Sequence, residues 1–195
     1  MPVKRARSVS FDTSFLLKDS ECIDKVVKML RKDNIPCFVT STVMSELEHL
    51  KVFGRIDETK FHKATQRWKK ANAKVIDFKN RLVASAINRT CVDDMEQQHG
   101  ASTEHIINDC SILTQVLKNG VDFFLSEDFH FTSALTEAVI ADIEHNACKE
   151  FHMMCDEEMY AADCLTFLKA YNNGNVDTDI LLKEHLDIRK PGKTL

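Results

Sequence analysis

Four short apolar runs, each followed by a segment of helical periodicity, restrict the fold more than any other feature of the chain. In residues 7–17, Val9 and Phe11 point to one face of a strand, and Asp12 falls where that strand gives way to a turn with Thr13 and Ser14. Residues 37–39 make a compact second strand, closed by the capping cluster Thr40, Ser41 and Thr42 ahead of a helix over 43–51. Residues 74–78 and 121–125 make a third and a fourth. Between them the apolar spacing predicts helices over 19–31 and 57–72, a further helix over 82–87 that fades into a polar loop over 90–100, and a long helix opened by Ser102 and Thr103 and closed by Asn119 and Gly120. After another helix from about Thr132, residues 151–155 predict a fifth strand, 157–171 a last core helix, and everything from Asn172 onward a loose polar tail. Strand and helix in alternation is the signature of a parallel α/β sheet.

A length of 195 residues, 44% of them hydrophobic, suffices for one domain with a core over about 8–170 and a tail over 172–195. The formal net charge of −4 argues against a protein that coats polyanions wholesale and leaves room for a local basic patch. Such a patch is offered by Lys60, Lys63, Arg67 and Lys70 on one helix, with Arg81 beyond it; for any single one of them a solvated face is the simpler role. No run of about 18 apolar residues occurs, and the basic start lacks the apolar segment of a secretory signal, so a soluble cytoplasmic protein with no membrane partner is expected. The seven cysteines include no C-x-x-C pair and read as reduced core thiols. His145, Cys148, His152 and Cys155 have a spacing that zinc could use, but Phe151, Met153 and Met154 among them favour ordinary core.

Two helices carry a carboxylate on the wrong side for solubility. Asp109 sits within about 40° of the centre of the stripe formed by Ile106, Cys110, Leu113 and Val116. Glu46, three residues after Val43 and four before Leu50, flanks the apolar face of its helix, whereas Glu48 points away. Asp12 and Asp128 stand at strand ends, where α/β sheets bind ligands. Asp12 with its hydroxyl neighbours is also an ordinary helix cap. Four carboxylates converging on one cleft repel unless neutralised, and an all-oxygen set suits a hard cation, Mg²⁺ or Mn²⁺, better than zinc.

These residues also carry a resemblance. Residues 9–17 with Asp12, 42–50 with Glu46, Asn108 to Leu113 with Asp109, and the strand from Gly120 into Ser126-x-Asp128-x-x-Phe131 resemble the PIN-domain nuclease family, in the order acid, glutamate, acid, acid over nearly all of residues 8–168. The resemblance implies a three-layer α/β/α sandwich around a mostly parallel five-stranded sheet, metal-dependent endoribonuclease activity, Asp12, Glu46, Asp109 and Asp128 as catalytic and metal-binding positions, and Thr13, Ser14 and Ser126 as supporting hydroxyls. Partners under this reading are RNA, an antitoxin protein if the chain is a toxin, and a second copy of the chain. The segment between Glu46 and Asp109 and the carboxyl-terminal part are both longer than in compact toxin members, so both a toxin of an antitoxin pair and a stand-alone RNA-processing nuclease stay open. Two other classes compete. An aspartyl-phosphate enzyme would need an acid where Ser14 stands. A non-catalytic RNA-binding module would keep the fold without turnover.

Overall fold

A computed structural model describes residues 3–99, 103–155 and 158–187. The chain enters through β1 (Val3–Arg5) and β2 (Val9–Phe11), then α1 (Thr13–Leu17) and α2 (Glu21–Lys32). β3 (Cys37–Thr40), α3 (Ser41–Val52), α4 (Glu58–Ala71) and β4 (Lys74–Ile76) follow. Next come α5 (Arg81–His99), α6 (Thr103–Lys118), β5 (Phe123–Leu125), α7 (Phe129–Thr132) and α8 (Ala134–Phe151). β6 (Tyr160–Ala162), α9 (Cys164–Ala170), β7 (Tyr171–Asn172), β8 (Asn175–Asp177) and α10 (Thr178–Asp187) complete the described chain.

Five strands form one all-parallel sheet in the order β4-β3-β2-β5-β6. β2 lies at its centre, with all three residues buried. The chain builds outward through β3 and β4, then returns to the other side of β2 with β5 and β6. The winding direction therefore reverses at β2, and the crevice outside its carboxyl end is the topological switch point. Register brings the ends level, since Phe11 lies opposite both Val39 and Leu125. Helices cover the sheet, with α2 packed on α4 and α9, and α5 packed on α6 and α8, giving the three-layer α/β/α arrangement.

The helices form where local chemistry favours them. Ser20 caps α2 by accepting from the Cys22 amide, Glu21 and Asp24 lie in its first turn and Arg31 and Lys32 in its last, while Ile23, Val26, Val27 and Leu30 are buried. Asp57 caps α4 through the Lys60 amide, and Asn72 ends it in the left-handed conformation.

Several expectations are corrected. α5 runs as far as His99 through the stretch expected as a polar loop over 90–100: Ile87, Cys91, Val92 and Met95 form a buried stripe facing its helical neighbours, and Asp93 and Gln97 are exposed on its outer side. The helix from Thr103 is present, whereas Ser102 lies outside the described residues. The fifth strand is Tyr160–Ala162, because α8 persists to Phe151 and ends at His152 with φ 53°. Two alanines made that strand read as helix, but pairing with β5, Phe124 opposite Ala161, overrides their propensity. The last core helix is accordingly the shorter α9, capped by Asp163 through the Thr166 amide. The supposed loose tail is ordered as far as Asp187. β7 and β8 form a hairpin whose two loop residues, Asn173 (φ 47°) and Gly174 (φ 82°), both have positive φ, the requirement of a type I′ turn. β8 then pairs with β1, placing Val3 opposite Asp177.

Six cysteines are not thiols: Cys22–Cys164, Cys91–Cys110 and Cys148–Cys155 are joined as disulfides, with Cα separations of 6.2, 5.6 and 4.7 Å, all within bridging range. Cys37 alone is free and buried, and burial pushes its thiol up to about 12. Since Cys148 and Cys155 satisfy one another, the zinc spacing assembles no site.

Arg67 is the second large correction. It was expected to face RNA; instead it is 1% exposed. Its Nε donates to Asp24 Oδ1 at 2.9 Å, and its Nη1 donates to the Leu16 and Lys18 carbonyls at 2.9 and 2.5 Å. One guanidinium thus ties α4 to α2 and satisfies carbonyls at the end of α1, which has too few turns to satisfy its own. Arg67→Met keeps the volume but strands those carbonyls, and is expected to cost about 3 kcal/mol, a fall of roughly 6–12 °C in melting temperature. Asp24→Asn, at a half-exposed position, should cost less than about 1 kcal/mol. Equal melting temperatures for wild type and Arg67→Met would remove this role.

Candidate active site

The site grows from the end of β2. Asp12 leaves the strand in extended conformation (φ −83°, ψ 163°) and is 3% exposed. Its Oδ2 accepts from the Ser14 amide at 3.1 Å, the Ser14 hydroxyl at 2.5 Å and the Ser126 hydroxyl at 2.9 Å. Ser126 follows β5 directly, and its Oγ accepts from the Asp128 amide at 3.0 Å. The Ser14 Oγ accepts from the Glu127 amide at 2.9 Å. Each hydroxyl gives its one proton to Asp12, so the 3.1 Å approach of Ser14 to Ser126 is a packing contact. The capping reading and the site reading of Asp12 coexist: one oxygen is spent on hydroxyls and the cap, and the other is left for the cleft.

Glu46 comes from α3, where the Thr13 hydroxyl donates to its Oε2 and the Asn108 amide to its Oε1 at 3.3 Å. Asp109, on α6, has a side chain 14% exposed. Asp128 starts α7 by accepting from the His130 amide at 2.9 Å and is 44% exposed. A cavity of about 260 Å³ brings Asp12, Glu46, Asp109 and Asp128 together with Thr13 and Ser14, and Leu17, Leu50 and Phe131 supply apolar walls. All four acids singled out in the sequence therefore face one cleft at the switch point. Glu48 lies exposed on α3, as its helical phase required.

The electrostatics follow from that crowding. Burial, followed by the charges of Asp12, Asp128 and Glu46, raises the Asp109 carboxyl to about 8. Burial also raises Asp12 to about 6, against the lowering effect of Ser14 and Ser126 and with the help of Glu46. Among the described residues, no three His, Cys, Asp or Glu side chains stand as a ready-formed ion cage. The donor set nonetheless fits a hard divalent cation: four carboxylates line one small cleft, and burial together with neighbouring carboxylate charge raises two of them.

Three features escaped the sequence reading. His130 places Nδ1 3.6 Å from Asp109 Oδ2 and 3.8 Å from Asp128 Oδ1, bridging the two acids; its position two residues after Asp128 was the only signal. Asn108 steadies Glu46 from the residue before Asp109. Glu127 accepts from the Cys164 amide at 2.9 Å and pairs with Lys18 at 2.5 Å, locking the loop after β5. The basic residues divide. Lys60, Lys70 and Arg81 are exposed, Lys63 is paired with Asp19, and Arg67 is interior.

A carboxyl raised on folding binds its proton in the native state over the window between its unfolded and folded values, so native stability falls as pH rises through that window. In chelator, wild type should therefore lose melting temperature between pH 5 and 8. Asp109→Asn should lose less and be at least as stable as wild type at pH 8. On adding Mg²⁺ at pH 8, wild type should gain more than the variant. A variant that melts well below wild type in chelator at pH 8 would show that Asp109 has a buried cationic partner instead.

A model of the PIN domain matches residues 10–139, two thirds of the chain and all four acids. No curated protein matches it. With the five-stranded parallel sheet, its helical layers and a family match over most of that core, the chain belongs to the PIN-domain family, whose members are generally nucleases.

Proposed function

We propose that the protein is a metal-dependent endoribonuclease that hydrolyses RNA phosphodiester bonds in this cleft. The observation that carries the reading is the convergence of four carboxylates from four separate elements, the ends of β2 and β5 and the inner faces of α3 and α6, on one cavity. No fold-stabilising role requires that arrangement, since it costs repulsion. Asp12 and Asp109 would hold a Mg²⁺ or Mn²⁺ ion, with Asp128 reaching it directly or through water. A bound ion of this kind supplies Lewis acidity toward a phosphate oxygen and lowers the pKa of a bound water.

The chain's own residues do the positioning. Ser14 and Ser126 hold Oδ2 of Asp12, so the carboxylate cannot rotate away from the cleft. Thr13 and Asn108 fix Glu46 from two sides, which suits it either to ligate or to orient an attacking water. Leu17, Leu50 and Phe131 exclude bulk water from the reacting side. The exposed Lys60, Lys70 and Arg81 would meet the phosphate backbone, so a polyanion can dock on a chain of net negative charge.

Asp12→Asn should abolish Mn²⁺-dependent cleavage of RNA. Ser126→Ala, which removes one of the two hydroxyls that hold Asp12 and the acceptor of the Asp128 amide, should lower it by about 10–100-fold. Cleavage at limiting Mn²⁺ should rise with pH as the carboxyls raised to about 6 and about 8 give up their protons, and saturating Mn²⁺ should move that rise to lower pH. Gel assays of single-stranded and structured RNA test all three. RNA binding unaffected by chelator, with no cleavage in Mn²⁺, would instead mark a non-catalytic RNA-binding module.

A further inference from the structure

A second cavity, of about 620 Å³, opens beside the acid cleft and plays no part in holding the four carboxylates. It lies at the carboxyl ends of β3 and β4, where Ser41 and Asp77 follow those strands, and is walled by α5 and α6. The acid cleft lies at the carboxyl ends of β2 and β5. The two openings therefore share one edge of the sheet, about two strand spacings or 10 Å apart. They also share a seam between α3 and α6. Thr42 and Ser111 hydroxyls meet at 2.9 Å, and Gln115 Nε2 donates to Thr42 Oγ1 at 2.7 Å. One turn further along α3, Glu46 faces the cleft, steadied by Asn108 from α6.

Its lining has an uncommon distribution of charge. Arg81 and Arg89, eight residues apart on α5 and so about 12 Å apart along the axis, stand exposed at the rim, and neither is committed to an ion pair among the described residues. Where the chain leaves β4, the exposed Asp77 accepts the Ser41 hydroxyl at 2.9 Å and the Phe78 amide at 2.8 Å, both through Oδ1. Among the described residues its Oδ2 makes no hydrogen bond and remains an acceptor. The Phe78 side chain, 5% exposed, and Val92 supply apolar wall. A simple anion suits the arginines on α5 but not the β4 end, where Asp77 repels it. A simple cation suits Asp77 but not the arginines. What matches both is a ligand with phosphate at the arginines and a planar, partly apolar, hydrogen-donating group lying between Asp77 and the wall of Phe78 and Val92, and the volume is ordinary for a ligand of that size.

We propose that this cavity is a subsite for one nucleotide of the RNA strand, whose base carries an exocyclic amino group that donates to Asp77 while the adjoining phosphates lie on Arg81 and Arg89. The proposal rests on the cleft acting on RNA and adds a base preference to it. Carboxylates accept from exocyclic amines such as that of cytosine, guanidinium groups bind phosphate through two parallel bonds, and unstacked bases of single strands are the usual object of sequence-specific recognition in RNA. Uracil offers no such amine.

Fluorescence anisotropy in chelator tests the subsite apart from catalysis, with labelled oligo(C) and oligo(U) of about eight nucleotides and the full chain. Wild type should bind oligo(C) about tenfold more tightly than oligo(U), as a hydrogen bond to a charged acceptor predicts. Asp77→Asn, which can still accept from Ser41, should level the two. Arg81→Gln with Arg89→Gln should weaken both by about tenfold and lower the salt slope by about 1.4, the effect of two lost phosphate contacts on a single strand. Lys25→Gln with Lys28→Gln on α2 makes the same change of charge and should do neither. Failure to bind RNA, equal affinity of wild type for the two oligonucleotides, or an arginine variant no weaker than the lysine control would overturn the subsite. Cleavage of long RNA in Mn²⁺ is scored separately: its absence with the base preference intact counts against the nuclease reading and leaves the subsite standing.

Discussion

The arrangement of the site depends on one buried carboxylate at the end of the central strand. Asp12 must leave water to sit there, and desolvation alone would neutralise it. The hydroxyls of Ser14 and Ser126 offset part of that cost, and they do so from two different elements, α1 and the loop after β5. The same bonds therefore hold β2 and β5 level at their carboxyl ends and aim one oxygen into the cleft. Each serine is in turn fixed by the amide of an acidic residue, Glu127 for Ser14 and Asp128 for Ser126. Removing a hydroxyl would disturb the position of an acid and the joint between two strands together.

That coupling explains why the site was legible in the sequence while parts of the scaffold were not. Asp12, Glu46, Asp109 and Asp128 broke local rules, as acids on apolar faces or at strand ends, and violations of local consistency concentrate where function is. β2, β3 and α2 followed local rules so closely that period and caps sufficed to find them. β6 did neither: Tyr160, Ala161 and Ala162 have no strand signature, and only pairing against Phe123, Phe124 and Leu125 makes them a strand. The second half of α5 failed for a related reason, since its apolar positions are diluted by acids and amides that have meaning only once α6 and α8 are in place. The hairpin of β7 and β8 was missed, because its polar flanks read as a loose tail although Asn173-Gly174 is a strong turn signal.

Arg67 shows the limit of reading charge from composition. On a helix with Lys60, Lys63, Lys69 and Lys70 it looked like one more cation for a polyanion, and its helical phase next to Ala64 and Ala71 was the overlooked sign of burial. A guanidinium with five donors can satisfy several carbonyls and a carboxylate at once, whereas a lysine at the same place could not. The basic helix is thus divided in purpose, with an interior arginine that fixes it to α1 and α2 and exposed lysines that leave its outer face positive.

The same division of labour orders the whole carboxyl edge of the sheet. Acids occupy the switch point between β2 and β5, where strand ends diverge and a small deep cleft can form. Arginines stand one helix away, at the rim of the wider opening beyond β3 and β4. Had the cations been placed within the cleft, they would have paired with the carboxylates and cancelled both charges. Holding them apart on α5, across the seam that Thr42, Ser111 and Gln115 close, keeps both fields uncancelled. A polyanion lying along this edge meets attraction at the arginines and repulsion at the acids, and only a cation bound in the cleft removes the repulsion. Under the proposed function, metal binding and strand binding on this surface would therefore be linked by charge, each favouring the other, without any movement of the fold.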